Sequence, residues 1–170
     1  MAFSLLPKAY YNSILDIHPE HLTSRGITLL LVDLDNTLVP YKVPSPTAEL
    51  IAWREQMESG GVQVFLLSNS RKPTRPGNFA AQFGIDFIGH AGKPKRKGFS
   101  SAMERTGRTP AQTAIAGDQI FTDILGAKLG GVPCFLLDPI EKEKGKPFLQ
   151  LRRRWEAPIR RKLAGREEAK

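Results

Sequence analysis

The stretch from 27 to 39 constrains this chain more than any other. Residues 27–32 are aliphatic apart from Thr28, follow Gly26, and end in two carboxylates one residue apart, Asp33 and Asp35. A short apolar run without polar alternation predicts a strand covered on both faces, as in a parallel sheet. Side chains alternate along a strand, so Asp33 and Asp35 leave it on the same side. In an open α/β sheet that end of a strand is where ligands bind. Two carboxylates there repel each other unless a cation lies between them. A hard divalent cation suits the pair, and Mg²⁺ commonly binds through one or two carboxylates plus a substrate phosphate. Taken alone, the fragment is equally compatible with a turn in which Asn36 and Thr37 complete a helix cap.

The rest of the chain repeats the pattern of strand, polar exit and helix. Residues 1–26 are an arm rich in apolar and aromatic side chains (Phe3, Leu5, Leu6, Tyr10, Tyr11, Ile14, Leu15, Ile17), expected to pack on the flank of the sheet. A short helix is predicted over 19–24, with Pro19 near its start and Gly26 just past its end. After an irregular segment over 40–46, Ser45 and Pro46 open a helix that carries Leu50, Trp53 and Met57 at helical spacing and stops at Gly60 and Gly61. An apolar strand over 62–67 ends in Ser68, Asn69, Ser70 and Arg71. A helix over 78–83 stops at Gly84, a short strand covers 85–88, residues 90–94 form a loop, and a helix covers 97–106. A strand over 113–116 ends in Gly117 and Asp118, a helix runs over 121–129, and a last strand covers 132–137. Five strands alternating with helices predict an α/β fold, a parallel sheet with helices on both faces.

Composition narrows the setting. The length fits one domain with a sizeable core. The single cysteine, Cys134, lies in an apolar run, cannot form an internal disulfide and reads as a buried thiol, which fits a reducing, cytoplasmic setting. No apolar run approaches the roughly 18 residues of a membrane span, and residues 1–8 lack the basic start and long apolar stretch of a signal peptide. The net charge is +8, and +7 of it falls in residues 142–170, which hold eleven Lys or Arg and four Glu. The body is nearly neutral and the tail basic, which suggests a polyanionic partner for the tail, either nucleic acid or an anionic membrane surface. The three histidines, His18, His21 and His90, show no metal-ligand spacing.

Asp33 and Asp35, Ser68 and Asp118 all lie at strand exits, and Lys93 lies in a loop. Right-handed winding puts the carboxyl ends of the strands on one edge, so these residues can converge. In this order, with Asp123 beyond Asp118, they resemble the haloacid dehalogenase superfamily of phosphatases over residues 27–138. The gaps between the motifs leave no room for a cap domain, as in the capless subfamily IIIA. The approach from Ile17 to Leu22 into Gly26 and Ile27, with Asp-Asn-Thr-Leu, Ser-Asn-Ser, Ala-Gly-Lys-Pro and Gly-Asp-Gln-Ile-Phe-Thr-Asp, resembles the YqeG family, related to the phosphatidylglycerophosphate phosphatases of mitochondria and plastids.

The resemblance implies a Rossmann-like domain over 27–141 and an Mg²⁺-dependent phosphomonoester hydrolase. Asp33 would be the nucleophile and Asp35 the acid and base. Asp33, the backbone carbonyl of Asp35 and Asp118 would hold the metal. Ser68, the backbone N–H of Asn69 and Lys93 would bind the phosphate. Thr37 and Asp123 would support them, Asp123 by orienting Lys93 or a metal-bound water. Ser70 departs from the pattern, standing where relatives often have Asn. Each residue also has a plain structural reading: Ser68 as a helix cap, Lys93 as one solvated charge in a cluster with Lys95, Arg96 and Lys97, Asp118 as a turn residue, Asp123 as a first-turn helix acid. Arg71 and Lys72 follow the second motif and read equally as substrate contacts or solvated loop charges.

The tail, residues 142–170, carries Phe148, Leu151, Trp155, Ile159 and Leu163 at helical spacing, with basic runs over 152–154 and 160–162 between them. A basic amphipathic helix reads as a membrane-surface element. The plain alternative is that the stripe covers an edge of the sheet and the arginines are solvated. Pro158 predicts a kink or two short helices, and residues 167–170 a frayed end. With the resemblance, the tail makes phosphatidylglycerophosphate the expected substrate, at the inner face of a membrane. A phosphatase of nucleic-acid ends or of small molecules, and a non-catalytic RNA- or ribosome-binding module, are the alternatives.

Overall fold

Residues Leu29–Val32 form the central strand, β2, of a six-stranded sheet in the computed structural model of the chain. The structure describes residues 4–72, 74–142, 145 and 147–167, the last four without their side chains. The other strands are β1 (Ala9–Tyr11), β3 (Gln63–Leu67), β4 (Asp86–Ile88), β5 (Thr113–Gly117) and β6 (Cys134–Leu137). Their order is β1-β6-β5-β2-β3-β4, with every pairing parallel.

The two-sided burial of β2 follows from its composition. Leu30 and Val32 enter one core with Trp53, Met57, Phe79 and Phe83, from α2 (Ala48–Ser59) and α3 (Arg75–Phe83). Leu29 and Leu31 enter the other with Phe99, Ala102 and Ala127, from α4 (Arg96–Thr106) and α5 (Leu125–Gly130). Each fully buried Leu, Val, Met or Phe among these contributes roughly 1.5–3 kcal/mol. The connection from β2 to β3 holds α2 alone and that from β3 to β4 holds α3 alone, so no cap domain is inserted.

The sheet has six strands, not the five read from the sequence, because the arm supplies one. Ala9, Tyr10 and Tyr11 pair with Phe135, Leu136 and Leu137, and Lys8 N–H donates to the Cys134 carbonyl at 2.8 Å. Three half-buried residues are too few to show a period, so this edge strand left no mark in the sequence. The rest of the arm packs as expected. The short helix α1 (Pro19–Thr23) brings Leu22 into the core beside Ile17, and Trp53 Nε1 donates to the Ile17 carbonyl at 2.8 Å. Phe3 lies outside the described residues.

Two helix starts differ from expectation. Thr47, not Ser45, caps α2, its Oγ1 accepting the Leu50 N–H at 3.2 Å. The helix α3 begins at Arg75, three residues early, with Pro76 in its first turn. Residues Ile120–Ile124 form a π-helical turn that leads into α5. The tail forms one helix, α6 (Pro147–Glu167), which continues through Pro158 instead of breaking there. Glu167 is its last residue, and the rest of the expected frayed end, 168–170, lies outside the described residues. Among the described residues no helix is long and apolar enough to cross a membrane.

Candidate active site

The central position of β2, between β3 and β5, makes its carboxyl end the switch point of the sheet. Asp33 leaves β2 there, with its N–H on the Ala116 carbonyl of β5 at 3.2 Å. Asp118 follows β5, Ser68 follows β3, and Lys93 comes from the loop after β4. All four are buried. Lys95 and Lys97 are exposed, so of this basic cluster Lys93 is the lysine that turns inward.

The Lys93 ammonium lies 2.6 Å from Asp33 Oδ1 and 2.7 Å from Asp123 Oδ1. Burial opposes its charge, but Asp123 and Asp33 outweigh that and hold the ammonium above the ordinary lysine value. Burial pushes the Asp33 carboxyl up to about 8, against the pull of Lys93 and with the added push of Asp123 and Asp118. Burial also lifts Asp118 to about 6, against the nearby Arg153. Asp123 Oδ2 accepts the Gln119 N–H at 3.1 Å, which fixes the carboxylate that orients Lys93. Its other neighbour is Gly117, where a Cβ would lie 2.4 Å from the Asp123 carboxylate; only glycine fits there.

Carboxylate oxygens of Asp33, Asp118 and Asp123 lie within 4.8 Å of one another. Three buried, hard oxygen donors with one lysine among them suit a divalent cation of the Mg²⁺ kind. Thr37 braces this group, donating to Asp118 Oδ1 at 2.8 Å and accepting the Asp118 N–H at 3.2 Å. The Asp35 side chain lies apart from the three. Arg75 holds its Oδ1, with Nε at 2.9 Å and Nη2 at 2.8 Å, and also donates to the carbonyls of Val43 and Pro40. Asp35 still lines the pocket, so its side chain fits an acid and base better than a metal ligand.

Two asparagines act as clamps. Asn36, at φ 67°, donates to the Glu141 carbonyl at 2.9 Å and accepts the Glu141 N–H at 2.7 Å. Asn69 does the same to Lys93, accepting its N–H at 2.9 Å and donating to its carbonyl at 2.8 Å. The Asn69 side chain therefore sets the backbone that aims Lys93. Ser68 does not cap α3; its Oγ accepts the Ser70 N–H at 3.1 Å and stays at the pocket floor.

The pocket above these residues has a volume of about 870 Å³. Arg71, Lys72 and His90 line it, together with Phe148, Leu149 and Arg152 of α6. The tail thus forms one wall of the site. Its apolar stripe divides: Leu163 is buried and Ile159 packs beside it, while Phe148, Leu151 and Trp155 are 71%, 47% and 66% exposed. Its arginines divide too. Arg153 and Arg160 turn inward to Asp118, so neither the solvated nor the membrane-facing reading describes them.

A family model for haloacid dehalogenase-like hydrolases matches residues 41–131. The chain belongs to that family. It is 35% identical over 140 residues to a Bacillus subtilis (strain 168) protein named Probable phosphatase YqeG, covering 82% of this chain and 81% of that one. It is accordingly a phosphatase of the YqeG kind. Similar solved structures include a hypothetical protein from Xanthomonas campestris, at 20% identity and TM-score 0.53, covering 74% of this chain and 72% of that one. An uncharacterized protein from Listeria monocytogenes serotype 4b matches at 20% identity and TM-score 0.52, covering 71% and 85%. These two show the shared Rossmann-like fold.

Among the described residues, Arg75, Arg153, Glu156 and Arg160 also reach the site and escaped the sequence reading. Arg75 sits among loop charges next to Arg71 and Lys72. The other three sit in a run where charge reads as solvated surface.

Proposed function

We propose that this phosphatase is an Mg²⁺-dependent phosphomonoester hydrolase that works through a phosphorylated Asp33. The observation that carries the reading is the buried group of Asp33, Lys93, Asp123 and Asp118, of which Asp33 and Lys93 line one pocket. Asp33 and Asp118, with the main-chain carbonyl of Asp35, would hold the cation. Bound there, it would screen the phosphate from the carboxylates and make phosphorus more electrophilic.

The chain's own residues account for the rest. Asp33 attacks phosphorus, and the P–O bond to the alcohol breaks as Asp35 gives the leaving alkoxide a proton. Asp35 then takes a proton from the water that attacks the phospho-Asp33, releasing inorganic phosphate and restoring the Asp33 carboxylate and the protonated Asp35. Arg75 holds Oδ1 of Asp35, which leaves Oδ2 to carry that proton. Lys93, Ser68 and the Asn69 N–H meet the phosphoryl oxygens, where charge builds in the transition state.

The preferred substrate in this reading is phosphatidylglycerophosphate. Supporting a lipid phosphate, an apolar groove of about 460 Å³ adjoins the pocket, shares Asn69 and Lys93 with it, and is lined by Pro94, Phe121, Leu151 and Trp155. Arg152 lies over the Phe148 ring at 5.8 Å, an anion-attracting group on an exposed apolar face. The same face would rest on an anionic bilayer.

The test is phosphate release, with Mg²⁺ or chelator, from lipid phosphates, sugar phosphates and oligonucleotides phosphorylated at the 3′ or 5′ end. Co-sedimentation with phosphatidylglycerol vesicles accompanies it, comparing the full chain with an F148S/W155S double variant. Faster release from lipid phosphates and vesicle binding lost in the variant are expected. Faster release from oligonucleotide ends would move the substrate to nucleic acid, and no release from any class would leave a binding module.

A further inference from the structure

Arg153, Glu156 and Arg160 share one face of α6, at intervals of three and four residues, and all reach the segment after β5. Arg153 donates through Nη1 to the main-chain oxygen of Asp118 and through Nη2 to Asp118 Oδ2. Arg160 donates to the same main-chain oxygen and to the Leu137 carbonyl. Glu156 is buried, accepts the Ile120 N–H at 2.8 Å, and accepts from Arg153 Nη1 at 2.9 Å. Asp118 is fully buried, and Thr37 takes its other carboxylate oxygen. A permanent cation from the tail therefore sits on one of the three carboxylates suited to a divalent ion.

Arg153 and Glu156 tie the first half of α6 to the segment after β5. Phe148, Leu151 and Trp155 face outward, a cavity of about 470 Å³ lies between the helix and residues 138–142, and apolar anchorage begins at Ile159 and Leu163. Such an attachment can yield at Arg153 without unpacking the core.

We propose that Arg153 competes with the divalent cation for Asp118, so that α6 sets the metal concentration at which the site loads. This rests on Asp118 being a cation ligand, as in the function proposed above. An arginine stays protonated at any working pH, so its charge cannot be titrated away to admit the ion. Like charges a few ångströms apart repel strongly, and after discounting for partial exposure the effect amounts to about tenfold in affinity.

The experiment is direct binding of Mn²⁺ alone, followed by the resonance signal of the free ion, to the full-length wild type, R153Q, R153K, R161Q and D118N. Arg161 lies on the same helix and is exposed, so R161Q makes the same change in net charge away from Asp118. Competition requires R153Q to bind Mn²⁺ about tenfold more tightly, R161Q to bind as the wild type does, and R153K, which keeps the charge but loses the fork, to bind two- to threefold more tightly. Unchanged or weaker binding by R153Q overturns the proposal, since Arg153 would then be supporting Asp118 as a ligand. If R153Q does not fold, R153K decides by the same rule. Wild-type affinity in D118N would show instead that the ligand assignment had failed, and the competition with it.

Discussion

Replacing Lys93 by methionine removes the ammonium that Asp33 and Asp123 share at 2.6 and 2.7 Å. Taking one partner from a buried ion pair costs about 3–5 kcal/mol. The low end applies, because Asp33 is already pushed up to about 8 and can take a proton instead of staying charged. For a chain of this size, about 3 kcal/mol corresponds to a fall in Tm of roughly 6–12 °C. The deficit also depends on pH. A carboxyl whose folded pKa exceeds its unfolded value contributes stability that is complete below the unfolded value and is lost as pH rises through the folded one. In the wild type the loss from Asp33 ends near pH 8. Without Lys93 the folded value climbs further and the loss continues, so the gap in Tm should be wider at pH 9 than at pH 6. Turnover should fall by about 10²–10³, the range for losing one donor to a developing oxyanion. Thermal melts in chelator at the two pH values and release of p-nitrophenol from its phosphate with Mg²⁺ measure both effects. A variant that melts with the wild type at both pH values, or turns over within about threefold of it, refutes the buried ion pairs and the role drawn from them.

Asp33→Asn should keep the fold and lose turnover, because an amide cannot accept the phosphoryl group; beryllium fluoride should inhibit the wild type and not raise the Tm of this variant. The wild type in chelator should lose stability as pH rises from 5 to 8, while Asp118 (raised to about 6) and Asp33 (raised to about 8) ionise in the fold. Added Mg²⁺ should therefore raise Tm more at pH 8 than at pH 5, and equal shifts would count against a carboxylate site. Arg75→Ala frees Asp35 and the 40–43 segment, and should slow hydrolysis of glycerol phosphate about tenfold more than that of dinitrophenyl phosphate, whose leaving group needs no proton. Equal slowing of both would make Arg75 a structural residue only.

What the sequence revealed of the site follows from the geometry of parallel strands. Residues 29–32 and 64–67 are buried on both faces, so each reads as an unbroken apolar run with a visible end. The residue just past that end lies on the common edge whatever the loop lengths are. Asp33, Ser68 and Asp118 were legible for that reason, and Asp35, Lys93 and Asp123 through the motifs around them. The burial of Cys134 and the stops at Gly60 and Gly84 were legible from their neighbours in the chain.

The parts it hid depend on partners far along the chain. The strand β1 is defined by its pairing with β6, more than 120 residues on, not by any pattern of its own. Asn36 clamps Glu141, 105 residues away, and as a turn residue it already had a sufficient local explanation. The helix α6 shows the limit most clearly. A run with two basic triplets satisfies every local rule for a solvated face, and hydrophobic periodicity cannot see a face whose counter-charge is Asp118, 35 residues earlier. One local signal was present. Glu156 is the sole acid between Arg152 and Lys162, and it stands three residues after Arg153 and four before Arg160. A single carboxylate spaced to reach two arginines on one helix face neutralises one of them and leaves the other's charge unspent. That remaining positive charge is met elsewhere: Arg153 reaches the buried carboxylate at the end of β5, and Arg160 lies 3.5 Å from Asp138.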